Sequence, residues 1–254
     1  MDNAPCRLKN DGKWRRAVNR PKYLGRNIAA IFIGLGPVYA FVIVSHITTG
    51  GSYTIRSLFL NPLVFGTATI VWVGFLYRSI CCKKWREINR RPGAWMTDIL
   101  AGICLAAGLT FIWFLEQATI YRWLPRPAGN PAVMRLLVGL SRNPLLLAIW
   151  LGPVVWIGVA AFEEIQRAFT LDLLDDLASK RWQQGLILVF SSVLFGLAHL
   201  YQGPAGMVGT FVFAMGMGFY YLAEGRIWPL IIGHALYDSA QIVMGIIQMR
   251  QAGY

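Results

Sequence analysis

The sequence predicts an all-α fold: a polytopic membrane helical bundle of about seven transmembrane helices. Three observations predict it. Hydrophobic residues make up 56% of the chain and charged residues only 14%, against about 45–50% and about 25% in soluble domains. The apolar residues come in charge-poor runs near the length a bilayer demands, about 20 residues per helix. The basic residues crowd beside those runs: eight of the 24 Lys and Arg lie in the first 26 positions and six more at 78–91. The apolar content excludes disorder, and only four Cys exclude a disulfide scaffold.

Taken in order, the spans read as 27–47, 57–77, 99–115, 144–169, 184–201, 205–223 and 227–249. The run from 182 to 223 is too long for one helix, and Gly203-Pro204 supplies the break, since proline cannot donate and glycine tolerates turn geometry. With the N-terminus inside, 17 Lys and Arg fall in inner segments and 6 in outer ones. This asymmetry predicts an integral, multi-pass protein with a cytoplasmic N-terminus. The first span follows a long basic segment without a small-residue cleavage site, so it reads as an uncleaved anchor. His46, at the end of that span, reads as interfacial.

The net charge of +12 would suggest nucleic acid in a soluble chain. Here the charges flank spans, so the expected partner is the lipid bilayer with its anionic headgroups, and no nucleic acid. Three regions follow: a basic cytoplasmic segment at 1–26, N-terminal membrane spans at 27–143, and a membrane core at 144–254. The first two carry little intramembrane polarity. The third holds the polar residues that lipid should forbid.

The fourth span contains Glu163, Glu164 and Arg167. Each unpaired mid-membrane charge costs roughly 2.5–3.5 kcal/mol on an insertion scale, so such residues are functional candidates. Glu163 to Arg167 is an i,i+4 spacing and Glu164 to Arg167 an i,i+3 spacing, so Arg167 can reach both carboxylates. One cation cannot neutralise two anions, which leaves one carboxyl suited to holding and releasing a proton. An interhelical polar clasp, or a position at the membrane edge with Asp172, Asp175 and Asp176, explains the cluster equally well at this point. The fifth span adds His199, and the seventh adds His234 and Asp238 on one helix face. The sixth carries small residues, including Ala205, Gly209, Ala214, Gly216 and Gly218, that let helices approach closely.

Over residues 144–245 these elements resemble the CPBP family of glutamic intramembrane proteases, which includes Rce1-like CAAX proteases and a bacteriocin-processing branch. The matching elements are the paired glutamates followed by arginine, Phe195-x-x-x-His199, and the stretch from Gly225 through His234 to Asp238. One position departs from the pattern. The family places arginine five residues after the first glutamate, where Ala168 stands here, and Arg167 comes one residue earlier. Asp238 stands where many members have Asn.

The resemblance implies an intramembrane endopeptidase in which Glu163, assisted by His199, activates a water. His234 and Asp238 would stabilise the oxyanion, with Asp238 orienting His234, and Glu164 and Arg167 would hold Glu163. No cofactor is expected. Zinc is the competing chemistry, since Glu/His/His is a legitimate ligand set, but no His-Glu-x-x-His is present. A non-catalytic scaffold or immunity-type protein on the same fold is the alternative function, and an ion-coupled transporter a third, weakened by the lack of an internal repeat. The expected substrate is a membrane-anchored protein or lipidated peptide.

Overall fold

The computed structural model describes residues 20–49, 55–119, 122–124 and 131–251, and among these every regular element is helical. The helices are α1 (Arg20–Thr49), α2 (Ile55–Ser79), α3 (Trp95–Ala118), α4 (Pro131–Arg142), α5 (Pro144–Ile149), α6 (Phe162–Asp175), α7 (Arg181–Ala198), α8 (Gly203–Glu224) and α9 (Trp228–Gln251). Most of the basic segment 1–26, and the side chain of His46, lie outside the described residues.

Among the described residues, six stretches are long and apolar enough to cross a membrane, the longest being Pro144–Asp175. The protein is therefore an integral, multi-pass membrane protein. The fifth span expected from sequence corresponds to α7, which is not among the six; its first turn, Arg181-Trp182-Gln183-Gln184, is polar, and it stops at Ala198. The amphipathic α4, with Leu136 and Leu140 buried, was not anticipated.

Pro144–Asp175 is three pieces in series. Asn143 caps α5 by accepting from the backbone N–H groups of Leu145 and Leu146, both at 3.1 Å, and Pro144 takes the first-turn position where its missing N–H costs nothing. Trp150–Ala161 is then wound as a π-helix, with a kink where Gly152 leaves helical geometry ahead of Pro153. From Phe162 the chain returns to α-helix, so both glutamates sit in the first turn of α6.

Helix α2 runs along the π-helical segment and α6, α3 along α9, and α7 along α8. Close backbone approach fixes the first of these pairings: a Cβ on Gly158 would lie 2.8 Å from the Pro62 carbonyl carbon. At the turn into α9, Gly225 takes the left-handed conformation at φ +67°, where a side chain would be strained.

One end of the bundle is tied by polar contacts. Asp172 accepts from Tyr77 Oη at 2.7 Å and from Arg90 Nε at 2.7 Å, and it pairs with Lys83. Lys83 also meets Asp176 at 2.6 Å, and Arg90 meets Asp175 at 2.8 Å. Two of the six basic residues at 78–91 are thus turned inward onto carboxylates rather than out toward headgroups. Burial acts to lower the Lys83 pKa, but Asp172 and Asp176 outweigh it and hold the ammonium above its ordinary value. Arg226 pairs with Asp98 at the same end, joining the start of α3 to the turn before α9.

Candidate active site

The Glu163–Glu164 pair lies about 13 Å along the helix from Asp172, at 1.5 Å per residue, so it is inside the bundle and not at its tied end. Glu163 divides its carboxylate between two imidazoles. Its Oε1 is 3.9 Å from His199 Nε2 and its Oε2 is 3.8 Å from His234 Nε2. The separations are longer than a hydrogen bond and short enough for one bridging molecule.

His199 is far along α7 from the tied end, yet it meets Glu163 because the helix ends there. It is the C-cap residue, followed by a 3-10 turn at Leu200–Gln202 and by Gly203 at φ +76°. The spacing Phe195-x-x-x-His199 has a local purpose. Nδ1 of His199 lies 2.9 Å from the Phe195 carbonyl oxygen, which can only accept, so Nδ1 carries the hydrogen and Nε2 is directed at Glu163. The Phe195 ring also contacts the His199 ring, at 4.7 Å between centroids.

His234 is held from both sides. Nδ1 lies 2.6 Å from Glu164 Oε1, and Nε2 lies 3.4 Å from Asp238 Oδ2, one helical turn away. Glu164 also pairs with Arg167, whose guanidinium carbon sits 4.2 Å from the Phe195 ring centroid and 5.4 Å from that of Phe213. Arg167 is within reach of both carboxylates by spacing, and the ion pair it forms is with Glu164 at i,i+3. The same Glu164 oxygen meets His234. Ala168, standing where the family places arginine, is wholly buried.

Exposure separates the two glutamates: the Glu163 side chain is 17% accessible and the Glu164 side chain 0%. Glu163 opens onto a cavity of about 360 Å³, whose walls include His199, His234, Asp238, Glu116 and Gln241. A second cavity of about 140 Å³ lies between α1, α6 and α7, and Glu163, Phe195 and His199 border both. No group of three or more His, Cys, Asp or Glu among the described residues is arranged to hold a metal ion.

Some cavity residues escape sequence reasoning. Glu116 falls one residue beyond the run read as the third span; α3 continues to Ala118 and buries it. With Asp98 also buried, the N-terminal spans are more polar inside than their sequence suggests. The available signal was an acid abutting a charge-free run. Phe213, edge-on to His234 at 4.7 Å, gave no signal, since an aromatic residue in an apolar span is unexceptional.

Residues 145–240 match the family model of type II CAAX prenyl endopeptidase Rce1-like proteins. No curated protein and no solved structure gives a significant match. The chain therefore carries an Rce1-like membrane domain over residues 145–240, and that segment contains Glu163, Glu164, Arg167, His199, His234 and Asp238.

Proposed function

We propose that the protein is a glutamic-type intramembrane endopeptidase that cleaves a membrane-anchored protein or lipidated peptide near its anchor. One observation carries this reading: a partly open carboxylate, Glu163, stands 3.9 Å and 3.8 Å from two imidazole Nε2 atoms at the wall of a cavity. A water seated between Glu163 and His199 gives its proton to the carboxylate as it attacks the peptide carbonyl, which is general-base catalysis. His234, oriented through Nδ1 by Glu164, turns Nε2 toward the developing oxyanion. Asp238 keeps that imidazole aligned. The proton taken by Glu163 then passes to the leaving amine. No metal ion takes part in this scheme, so millimolar chelator leaves turnover unchanged.

The site lies on membrane helices, so the substrate reaches it from or near the bilayer. A prenylated tail and a terminal hydrophobic segment both meet that requirement. The distribution of Lys and Arg supports a cytoplasmic N-terminus, which puts the Asp172 cluster at the inner membrane face. The test compares the membrane proteome of cells carrying the wild-type chain with that of cells carrying Glu163→Gln. Uncut forms sharing a terminal hydrophobic segment or a lipidated tail are expected in the variant. Cleavage by purified protein, abolished by Glu163→Gln and His199→Ala, completes the case; unchanged termini across the proteome defeat it.

A further inference from the structure

Glu163 and His199 border two cavities, whereas His234 and Asp238 border only the larger. The substrate carbonyl needs an imidazole N–H at its developing oxyanion. It therefore belongs in the larger cavity, whose walls come from α3, α8 and α9 as well. A peptide seated there covers the approach to Glu163 from that side. The smaller cavity reaches the same carboxylate from between α1, α6 and α7.

The polar side of the smaller cavity holds hydrogen-bonding capacity that the protein does not use. The Arg167 side chain is 2% exposed and borders the cavity, and its Nε and Nη2 make no hydrogen bond among the described residues. The same is true of Nε2 of Gln166, one residue earlier. Acceptors border the same space. The Tyr39 hydroxyl gives its hydrogen to the Leu194 carbonyl at 2.6 Å, and the Thr170 hydroxyl gives its own to the Gln166 carbonyl at 2.9 Å, so each oxygen is left to accept. Buried donors and acceptors left over in a roomy cavity are what ordered water satisfies. At about 140 Å³ the space takes about four waters, at about 30 Å³ each.

We infer that the smaller cavity is a water chamber, which supplies the hydrolytic water to Glu163 and His199 from the α1 side while the peptide occupies the larger cavity. Each turnover consumes one water. Its oxygen bonds to the carbonyl carbon, one hydrogen passes through Glu163 to the leaving amine, and the other stays on the new carboxyl group. The next water moves up from beside Gln166, Thr170 and Tyr39. Gln166 is a positioning residue for that water. Tyr39 brings α1, outside the 145–240 segment, into the supply.

The inference rests on the protease reading, and the experiment separates the two. Full-length protein in lipid nanodiscs is exposed to an X-ray beam that makes hydroxyl radicals from water, and the labelled side chains are read by mass spectrometry. Phe162 borders the smaller cavity and not the larger, and Phe32 lies on the lipid-facing side of α1 at 73% exposure. Phe162 should be labelled at least about 5-fold faster than Phe32, because a polar cavity holds water and the bilayer core does not. Gln166→Leu, which removes an amide nitrogen bonded to no described group, should lower that ratio toward one.

A second arm reads cleavage of single-span peptides in vesicles. Gln166→Leu should lower kcat at least about 10-fold, a part of the roughly 10²–10⁴-fold that proton transfer contributes, and leave KM unchanged. Gln166→Asn, which keeps the amide, should recover most of that loss. A labelling ratio near one in wild type overturns the chamber. A normal kcat in Gln166→Leu, with or without a raised KM, overturns the supply role. Absence of cleavage of any peptide by wild type overturns the protease reading and the supply role with it, and the labelling ratio still decides whether the cavity holds water.

Discussion

Glu164 Oε1 lies 2.6 Å from His234 Nδ1, a contact between residues 70 positions apart made entirely within the buried interior. Adjacent glutamates therefore do different work: one faces a cavity and the other locks an imidazole and an arginine in place.

That division predicts opposite outcomes for the pair. Glu163→Gln keeps the size of the side chain while removing its charge and its capacity to take a proton, and should accumulate in membranes like wild type, without activity. Glu164→Ala strands the Arg167 guanidinium without its carboxylate, and breaking a buried pair this way costs about 3–5 kcal/mol. Arg167→Ala strands the carboxylate and should also lower accumulation. Thermal unfolding in detergent and membrane abundance measure both. If Glu164→Ala and Arg167→Ala melt like Glu163→Gln, the bracing role is wrong.

A second prediction concerns the support behind the glutamates. A Cβ at Gly158 would lie 2.8 Å from the backbone of Pro62, and backbone cannot swing aside as a side chain can. Gly158→Val should destabilise the protein by about 1–3 kcal/mol through overpacking. It should also reduce turnover, because α2 and the segment leading to Glu163 must separate. Wild-type stability together with wild-type cleavage would remove this contact from the account.

The third prediction is a pH dependence at the tied end. Lys83 is held above its ordinary pKa by Asp172 and Asp176 in spite of burial. A raised folded-state value contributes stability that is fully present below the unfolded value, about 10.4, and is lost as pH rises through the folded one. Lys83→Met should therefore be less stable than wild type at pH 8, by about 1.5–3 kcal/mol for lost charged hydrogen bonds. The gap should begin to close only in strongly alkaline solution. A gap that closes between pH 7 and pH 9 would contradict it.

The helical bundle was legible because lipid imposes a simple rule: charge-free runs of sufficient length become spans. The rule fails at edges, as Glu116 shows, where one residue decided whether a carboxylate counted as loop or as cavity wall. It says little about α7, whose polar first turn and early stop at His199 depend on the turn that follows. Glu163, His199, His234 and Asp238 stood out because polar groups are costly in apolar helices. Glu164 and Arg167 stood out for the same reason, but which carboxylate the arginine pairs with did not, since i,i+3 and i,i+4 are equally reachable for a long side chain. In the folded protein Arg167 pairs with Glu164 and lies against the phenyl rings of Phe195 and Phe213, brought in from α7 and α8.

The winding of Trp150–Ala161 sets an angle as well as a path. Each residue added to or removed from a helix turns everything beyond it by about 100°. The π-helical stretch is thus a phase adjuster placed just before the two glutamates. A single deletion within it, touching no functional side chain, would rotate Glu163 away from His199 relative to α5 and bring a different residue of α6 round to the cavity. The identity of the residue that faces the cavity is written upstream of that residue, in how many positions the chain spends on those few turns.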